Sequence, residues 1–196
     1  MKRAGFILTG GKSSRMGRDK ALLPYAGTTL AGYLAPIVER VCGGVTLVGP
    51  EERYGNLGFA VLADDEPGAG PLGGILTALR RSPARWTLVA ACDMPGLTES
   101  FLETLFAEAE ASEAQCVLPV SEAGPEPLCA VYRDDCVPAL SAAYVAGVRK
   151  MTDALAALDL MHWRVPPIAG NGRWSENLNT AEEWQRHLGS IGGGGG

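Results

Sequence analysis

An apolar run near the N-terminus, Ala4 to Leu8, is followed at once by a loop crowded with glycines and cations. Three glycines, two serines and four cations lie between Gly10 and Lys20. Glycine lets backbone N–H groups approach a ligand closely, and the clustered cations repel one another unless an anion such as a triphosphate lies between them. The pattern therefore predicts a first β-strand that ends in a phosphate-binding loop, as in α/β proteins.

Apolar runs alternate with helical patterns along the chain, which predicts an α/β fold. The run from Trp86 to Ala91 is nearly all apolar, as a central buried strand should be. We expect a three-layer αβα, Rossmann-like architecture, with a mostly parallel sheet covered on both faces and a ligand crevice at the carboxyl ends of the strands. Strands are predicted at 4–8, 45–48, 60–63, 86–91, 116–120, 128–132 and 161–165, and helices at 29–41, 72–81, 98–110, 134–146, 151–158 and 180–188.

Length, charge and cysteine usage limit the class of protein. A chain of 196 residues suits one domain, expected over residues 1–190, with a flexible glycine tail at 191–196. The net charge of −5 argues against nucleic acid or an anionic membrane as a partner, and no apolar run is long enough to span a bilayer. The N-terminal apolar stretch is too short for a signal peptide. Five cysteines without a Cys-x-x-Cys pair are expected to be buried free thiols in a reducing cytoplasm.

The glycine-rich loop resembles a Walker A motif only in part. That motif needs a glycine where this chain has Phe6, so the loop does not belong to a P-loop ATPase. A solvated basic surface loop is the simpler alternative, but it does not explain why Lys12, Arg15, Arg18 and Lys20 crowd together.

A carboxylate follows the predicted central strand. Asp93 stands in Cys92-Asp93-Met94-Pro95, at the carboxyl end of the strand, where Mg²⁺ could take it as an oxygen ligand together with phosphates. The alternative is that Asp93 caps the turn before Pro95. Its position at a strand end near the glycine-rich loop favours the metal site.

The segment from Asp64 to Gly74 contains a glycine spacing that is typical of dinucleotide-binding loops. Three acidic residues precede these glycines and would repel a pyrophosphate, so we interpret the segment as the entry to a helix with Pro71 near its first position. In this interpretation Asp64 and nearby backbone groups contact ribose or base.

Two further sets of residues are candidates for a second substrate. Asn177 and Asn179 would point the same way from an extended segment, although asparagines before a helix are also ordinary turn residues. Arg149 and Lys150 precede the predicted helix at 151–158 and form either a solvated surface pair or a clamp for an anion.

Several motifs together resemble the molybdenum cofactor guanylyltransferases, which have the nucleotide-diphospho-sugar-transferase-like fold. The resemblance runs from the first strand to the last helix. It is carried by Gly10-Gly11-x-Ser13-x-Arg15-Met16-Gly17-x-Asp19-Lys20, Gly70-Pro71-Leu72-x-Gly74, Cys92-Asp93-Met94-Pro95, Pro127-Leu128-x-Ala130-Val131-Tyr132 and Asn177-x-Asn179-Thr180.

This resemblance implies transfer of GMP from Mg-GTP to molybdenum-bound molybdopterin, with pyrophosphate as the second product. Mn²⁺ is an alternative metal. It also implies partner proteins that deliver molybdopterin or accept the finished cofactor. Carried over by position, the nucleotide-binding residues would be Leu8, Thr9, Gly10, Gly11, Lys20, Asp64 and Asp93. The catalytic residues would be Arg15, Lys20 and Asp93, and Asp93 would also be the metal ligand. The molybdopterin side would hold Asn177 and Asn179, together with the candidate anion clamp Arg149 and Lys150.

Other functions on the same fold stay open from the sequence. Cytidylyl transfer to molybdopterin and nucleotidyl transfer to a sugar-1-phosphate share the chemistry and differ in base or acceptor. A non-catalytic nucleotide-binding module would bind the triphosphate without releasing pyrophosphate, and a metal-binding carboxylate at position 93 argues against it.

Overall fold

A mixed sheet of eight strands organises the computed structural model, which describes residues 2–9, 19–166, 173–176 and 178. In the described ranges the strands are β1 (Arg3–Leu8), β2 (Pro24–Tyr25), β3 (Thr28–Thr29), β4 (Val45–Val48), β5 (Ala60–Leu62), β6 (Trp86–Ala91), β7 (Cys116–Ser121), β8 (Gly124–Pro125), β9 (Cys129–Arg133) and β10 (Leu160–Arg164). The helices are α1 (Leu30–Cys42), α2 (Glu51–Tyr54), α3 (Pro71–Arg81), α4 (Glu99–Ala111), α5 (Val137–Val145) and α6 (Met151–Leu155).

The strand order is β5-β4-β1-β6-β9-β7-β10, with β8 paired to β7 and with β2 and β3 in a separate hairpin. β1 is parallel to both of its neighbours, and Leu8 lies opposite Val48 of β4 and Ala91 of β6. β9 runs antiparallel to β6 and to β7. From β1 the chain builds β4 and β5 on one side and then crosses to β6 on the other. This reversal of strand order at β1 is where ligands bind in open α/β sheets.

Helices cover both faces of the sheet, as the apolar patterns predict. On one face α1 and α4 pack on a core that includes Ile7, Leu47 and Leu88. On the other face α3, α5 and α6 pack on Phe6 and Val89, the neighbours of those residues along the strands. Successive residues of a strand point to opposite faces, so fully apolar strands can supply two cores at once.

Local capping defines where α1 lies. The Thr29 side chain accepts a hydrogen bond from the backbone N–H of Gly32 at 3.0 Å, which satisfies one of the unpaired donors of the first turn. The helix ends at Gly43, whose φ of 74° is left-handed and suits glycine. These signals place α1 within one residue of its predicted bounds.

The described C-terminal residues return to the start of α4. The rings of Trp174 and Phe101 stack at a centroid distance of 4.9 Å. Leu178 is buried in a small cluster with Leu23 and Leu30. This segment therefore packs close to the residues that follow β6.

The seven predicted strands are confirmed to within one residue at each end, and the predicted αβα layers are confirmed. The helix expected at 134–146 is wrong at its start, because residues 134–136 form a 3₁₀ turn and α5 begins at Val137 with Pro138 in its first turn. The helix expected at 151–158 ends at Leu155. The helix expected at 180–188 lies outside the described residues.

No helix within the described ranges is long and apolar enough to cross a membrane.

Candidate active site

The candidate site lies where β1, β4 and β6 end side by side. The backbone N–H of Cys92 donates to the carbonyl of Leu8 at 3.2 Å, and the N–H of Thr9 donates to the carbonyl of Val48 at 3.1 Å. These bonds extend the ladder past the last strand residues and hold Leu8 and Thr9 between the two neighbouring strands. Of the predicted nucleotide-binding and catalytic residues, Gly10, Gly11 and Arg15 lie outside the described residues.

An ion pair joins the end of the glycine-rich segment to the end of β6. Lys20 Nζ lies 3.0 Å from Asp93 Oδ2, and each side chain is 18% exposed. The preceding residue, Asp19, caps a short 3₁₀ turn at Lys20–Leu22 by accepting from the Ala21 N–H at 3.1 Å. The cap helps to fix the backbone from which Lys20 reaches Asp93. Two residues far apart in the sequence thus meet at the carboxyl ends of the central strands.

The pair has the charges that a metal-bound triphosphate needs. An ammonium group can bind phosphate oxygens, and a carboxylate can bind a hard divalent cation. Among the described residues no group of three or more His, Cys, Asp or Glu side chains could hold a metal ion. A single carboxylate still fits Mg²⁺, which often takes one or two carboxylates and completes its shell with substrate phosphates and water.

Helix α3 approaches the same edge of the sheet. A Cβ on Gly74 would lie 3.2 Å from Leu8 Cδ2, so the absence of a side chain lets the first turns of α3 pack closely on the end of β1. Gly70 precedes the helix with a φ of 74°, a left-handed conformation that suits glycine, and Pro71 occupies its first position. The segment is a helix entry, as we predicted from its acidic residues, and its loop faces the strand ends.

Asp64 is held in one orientation by α3. The Thr77 hydroxyl donates to Asp64 Oδ1 at 2.9 Å and accepts from the Asp65 N–H at 3.1 Å. The N–H of Glu66 also donates to Asp64 Oδ1, at 3.0 Å. Thr77 is fully buried, so its hydroxyl is an internal support for the partly exposed Asp64 carboxylate. No sequence pattern marks Thr77 as a site residue, since it lies in an amphipathic helix.

The candidate acceptor residue Arg149 is already engaged with its own loop. Its guanidinium lies 4.3 Å from the centroid of the Tyr144 ring and donates to the carbonyls of Tyr144 and Val148. The Tyr144 hydroxyl donates to Glu66 Oε2 at 3.0 Å, which connects this loop to the Asp64 segment. Lys150 is exposed and precedes α6. The pair therefore adjoins the loop that carries Asp64.

The two candidate asparagines, Asn177 and Asn179, lie outside the described residues. Leu178, between them in the sequence, donates its backbone N–H to the carbonyl of Asp93 at 3.0 Å. A Cβ on Gly96 would collide with the carbonyl of Arg173, so the turn after Asp93 packs directly on the C-terminal segment. This part of the chain is attached to the loop that carries the candidate metal ligand.

Tyr54, like Thr77, contacts residues of the site although no sequence pattern marks it. Its hydroxyl lies 2.8 Å from Asp19 Oδ2 and 3.0 Å from the carbonyl oxygen of Thr9. The Thr9 hydroxyl donates instead to the carbonyl of Val48 at 2.9 Å. Tyr54 belongs to α2, a short helix of charged residues that no apolar pattern marks.

The five cysteines are free and buried, as predicted. Cys92 adjoins Asp93, but burial and the neighbouring carboxylates raise the pKa of its thiol well above the usual range. A neutral, buried thiol is a poor nucleophile. The site therefore offers charge and hydrogen bonds rather than a nucleophilic side chain.

Comparison with protein families identifies one that spans most of the chain. The model of the MobA-like NTP transferase domain matches residues 5–160. A protein of Mycobacterium tuberculosis named probable molybdenum cofactor guanylyltransferase is 37% identical over 184 residues, which cover 91% of this chain and 89% of that protein. A protein of Mycobacterium marinum with the same name is 38% identical over 186 residues, 92% of this chain and 90% of that one.

The fold has a solved relative as well. The crystal structure of molybdopterin-guanine dinucleotide biosynthesis protein A from Archaeoglobus fulgidus superposes with a TM-score of 0.80 at 25% sequence identity. The superposition covers 96% of this chain and 99% of that one.

Proposed function

The chain belongs to the MobA-like NTP transferase family and is a nucleotidyltransferase, and we propose that it transfers GMP from Mg-GTP to molybdenum-bound molybdopterin. The products would be the guanine dinucleotide form of the cofactor and pyrophosphate. The guanylyltransferase names of relatives at 37% and 38% identity support the substrates. The observation that carries the proposal is the 3.0 Å ion pair of Lys20 and Asp93, since it brings a cation suited to phosphate and a carboxylate suited to a metal ion together at the carboxyl ends of the central strands.

In this proposal the triphosphate binds between the glycine-rich segment and the end of β6. The backbone of Leu8, Thr9 and Gly10 would contact the nucleotide, as the family resemblance implies, and Gly11 would belong to the same binding site. Lys20 exchanges its partner Asp93 for a phosphate oxygen when the nucleotide enters. An ammonium group transferred from one anion to another keeps its charge compensated throughout binding.

Asp93 would hold the metal, and Arg15 and Lys20 would bind the β- and γ-phosphates. When bound, Mg²⁺ supplies positive charge that offsets the charge developing on the departing pyrophosphate. The two cations act in the same direction from the protein side, and they also hold the triphosphate in a fixed orientation.

The reaction needs no nucleophile from the protein. An oxygen of the terminal phosphate of molybdopterin attacks the α-phosphorus of GTP, forming a new P–O–P link. The bond between the α-phosphorus and the bridging oxygen to the β-phosphate breaks, and that oxygen leaves with pyrophosphate. Both reactants are anions, so the work of the site is to lower their repulsion and align them.

The remaining candidates divide between the two substrates. Asp64, held by Thr77, would contact the nucleotide through its carboxylate. Asn177, Asn179, Arg149 and Lys150 would lie on the molybdopterin side. The hydrogen bonds from Tyr144 to Glu66 and from Leu178 to Asp93 support this arrangement. Each one connects a segment that carries candidate molybdopterin-binding residues to a segment that carries a candidate nucleotide-binding residue. We also propose that the enzyme works in a reducing cytoplasm, where its five thiols stay free.

The test is release of pyrophosphate from GTP in the presence of Mg²⁺ and molybdenum-loaded molybdopterin. Asp93→Asn should abolish turnover while the protein remains folded. The matched control is Asp135→Asn. Asp135 also forms an ion pair, with Arg133 at 2.7 Å, but this pair lies at the amino-terminal end of β6, far from Asp93. Near-normal turnover by Asp93→Asn would refute the proposed metal site.

The base and the acceptor are tested separately. Thermal protection by GTP, CTP, ATP and UTP should be strongest for GTP. Stronger protection by CTP would favour cytidylyl transfer, and turnover with a sugar-1-phosphate in place of molybdopterin would favour sugar nucleotide synthesis.

A further inference from the structure

Tyr54 is a buried residue whose contacts the proposed reaction leaves unexplained. It is the last residue of α2, a four-residue helix that is otherwise charged and exposed, yet Tyr54 itself is only 1% exposed. Its ring packs where Gly49 leaves space, since a Cβ on Gly49 would lie 2.6 Å from both the ring and Thr9 Oγ1. Packing of this kind fixes where the phenol oxygen lies.

The phenol oxygen joins the two ends of the glycine-rich segment. Thr9 is the last described residue before residues 10–18, and Asp19 is the first described residue after them. The Tyr54 hydroxyl lies 3.0 Å from the Thr9 carbonyl oxygen and 2.8 Å from Asp19 Oδ2. One side chain thus contacts both Thr9, which follows β1, and Asp19, which precedes Lys20.

The proton count shows which group donates. A carbonyl and an ionised carboxylate can only accept, so the single hydroxyl proton of Tyr54 serves both oxygens. Burial and the adjacent Asp19 carboxylate raise the pKa of Tyr54 well above its usual range, so the proton stays on the hydroxyl at any working pH. The exposed Arg53 guanidinium also lies close to this oxygen, at 3.4 Å from Asp19 Oδ2.

We propose that the Tyr54 hydroxyl is a positioning group for the triphosphate site. It holds Asp19, which caps the turn that begins at Lys20, and so places the Lys20 ammonium group for contact with phosphate. The proposal rests on the proposed function in one respect, namely that the glycine-rich segment binds a triphosphate.

The proposal predicts a particular kinetic signature. Lys20 contacts the phosphates in the ground state as well as in the transition state, so displacing it weakens triphosphate binding itself. The KM for GTP should therefore rise. A purely structural role for the hydroxyl would instead reduce the folded, active fraction, which lowers the apparent kcat and leaves KM unchanged.

The experiment compares Tyr54→Phe with the wild-type protein. Phenylalanine keeps the buried ring and deletes the O–H. Inorganic tripolyphosphate with Mg²⁺ is the binding probe, because it reports on the loop whatever base the enzyme prefers. We expect tripolyphosphate to bind about tenfold more weakly and the KM for GTP to rise about tenfold, which corresponds to about 1.4 kcal/mol.

The matched control is Thr87→Val. Thr87 is 1% exposed on β6, and its hydroxyl bonds to Ser82 Oγ at 2.6 Å at the edge of the sheet opposite to Asp93. Its loss should leave tripolyphosphate affinity unchanged. A second test variant, Asp19→Ala, removes the carboxylate that accepts from the Tyr54 hydroxyl. It should weaken tripolyphosphate binding at least as much as Tyr54→Phe does.

Each outcome bears on the proposal. Weaker tripolyphosphate binding by Tyr54→Phe and Asp19→Ala, but not by Thr87→Val, supports it, even if GTP is not the substrate. Wild-type affinity in Tyr54→Phe overturns it. Failure of the wild-type protein to bind tripolyphosphate also overturns it, together with the proposed triphosphate loop.

Discussion

The ion pair between Lys20 and Asp93 should stabilise the ligand-free protein more than an exposed ion pair does. At 3.0 Å, two unit charges attract by about 5.5 kcal/mol, from 332/(20 × 3.0), for an effective dielectric constant of about 20. Desolvation of the two groups offsets most of this attraction. Because both side chains are only 18% exposed, we expect a net coupling of about 1–2 kcal/mol in the free energy of unfolding.

The chain offers a matched exposed pair for comparison. Arg40 and Glu99 lie closer together, at 2.6 Å, but their side chains are 55% and 50% exposed. Solvent screens such pairs, and their coupling is about 0.2–1 kcal/mol. If burial rather than distance determines the strength, the longer contact should be the stronger one.

The assay is a double-mutant cycle by urea unfolding, without metal or nucleotide. The first cycle uses Lys20→Met, Asp93→Asn and the double variant, and the second uses Arg40→Met, Glu99→Gln and the double variant. A cycle isolates the pairwise free energy from the other effects of each substitution. Added salt should reduce the Arg40–Glu99 coupling more than the Lys20–Asp93 coupling. Equal couplings, or a larger one for Arg40–Glu99, would refute the reasoning.

Three further predictions follow from buried or paired groups. Thr77→Val removes the hydroxyl that holds Asp64 and should lower the free energy of unfolding by about 1–2 kcal/mol, a drop in Tm of about 2–8 °C. It should also raise the KM for nucleotide, and an unchanged KM would show that Thr77 does not position Asp64 for binding. The Arg3 hydrogen bond lowers the pKa of the Glu110 carboxyl, so the stabilisation that this bond provides is present above the unfolded-state pKa and is lost as pH falls through the lower, folded-state pKa. Glu110→Gln should therefore lower Tm at about pH 7 but not at about pH 3, and an equal drop at both pH values would contradict this assignment. The five buried cysteines should react with a thiol reagent at about pH 8 only after unfolding in urea, since burial raises the pKa of their thiols; rapid reaction of the folded protein would contradict the buried, neutral state.

The sequence predicts the sheet well because its signals are local. The apolar run Trp86–Ala91 indicates a buried central strand without reference to the rest of the chain, and the structure has β6 at those residues. The reversed direction of β9 is not a local property, since an apolar run does not reveal whether its neighbour is parallel or antiparallel. α2 escaped prediction because three of its four residues are charged and exposed.

The candidate site is predictable only where a motif or a strand end marks it. Lys20 and Asp93 are 73 residues apart, and their meeting follows from the rule that parallel strands end at one edge of a sheet. Tyr54 contacts partners 35 and 45 residues away from a segment with no pattern of its own. Such side-chain contacts depend on packing in three dimensions, which neither residue type nor spacing encodes.

A crystal structure with Mg²⁺ and a non-hydrolysable GTP analogue tests the central claim most directly. It should place Lys20 Nζ within hydrogen-bond distance of a phosphate oxygen and an Asp93 oxygen about 2.0–2.1 Å from the metal. Binding elsewhere would contradict the account. One such place is the groove of about 960 Å³ at the opposite edge of the sheet, which Lys2 and Arg40 help to line.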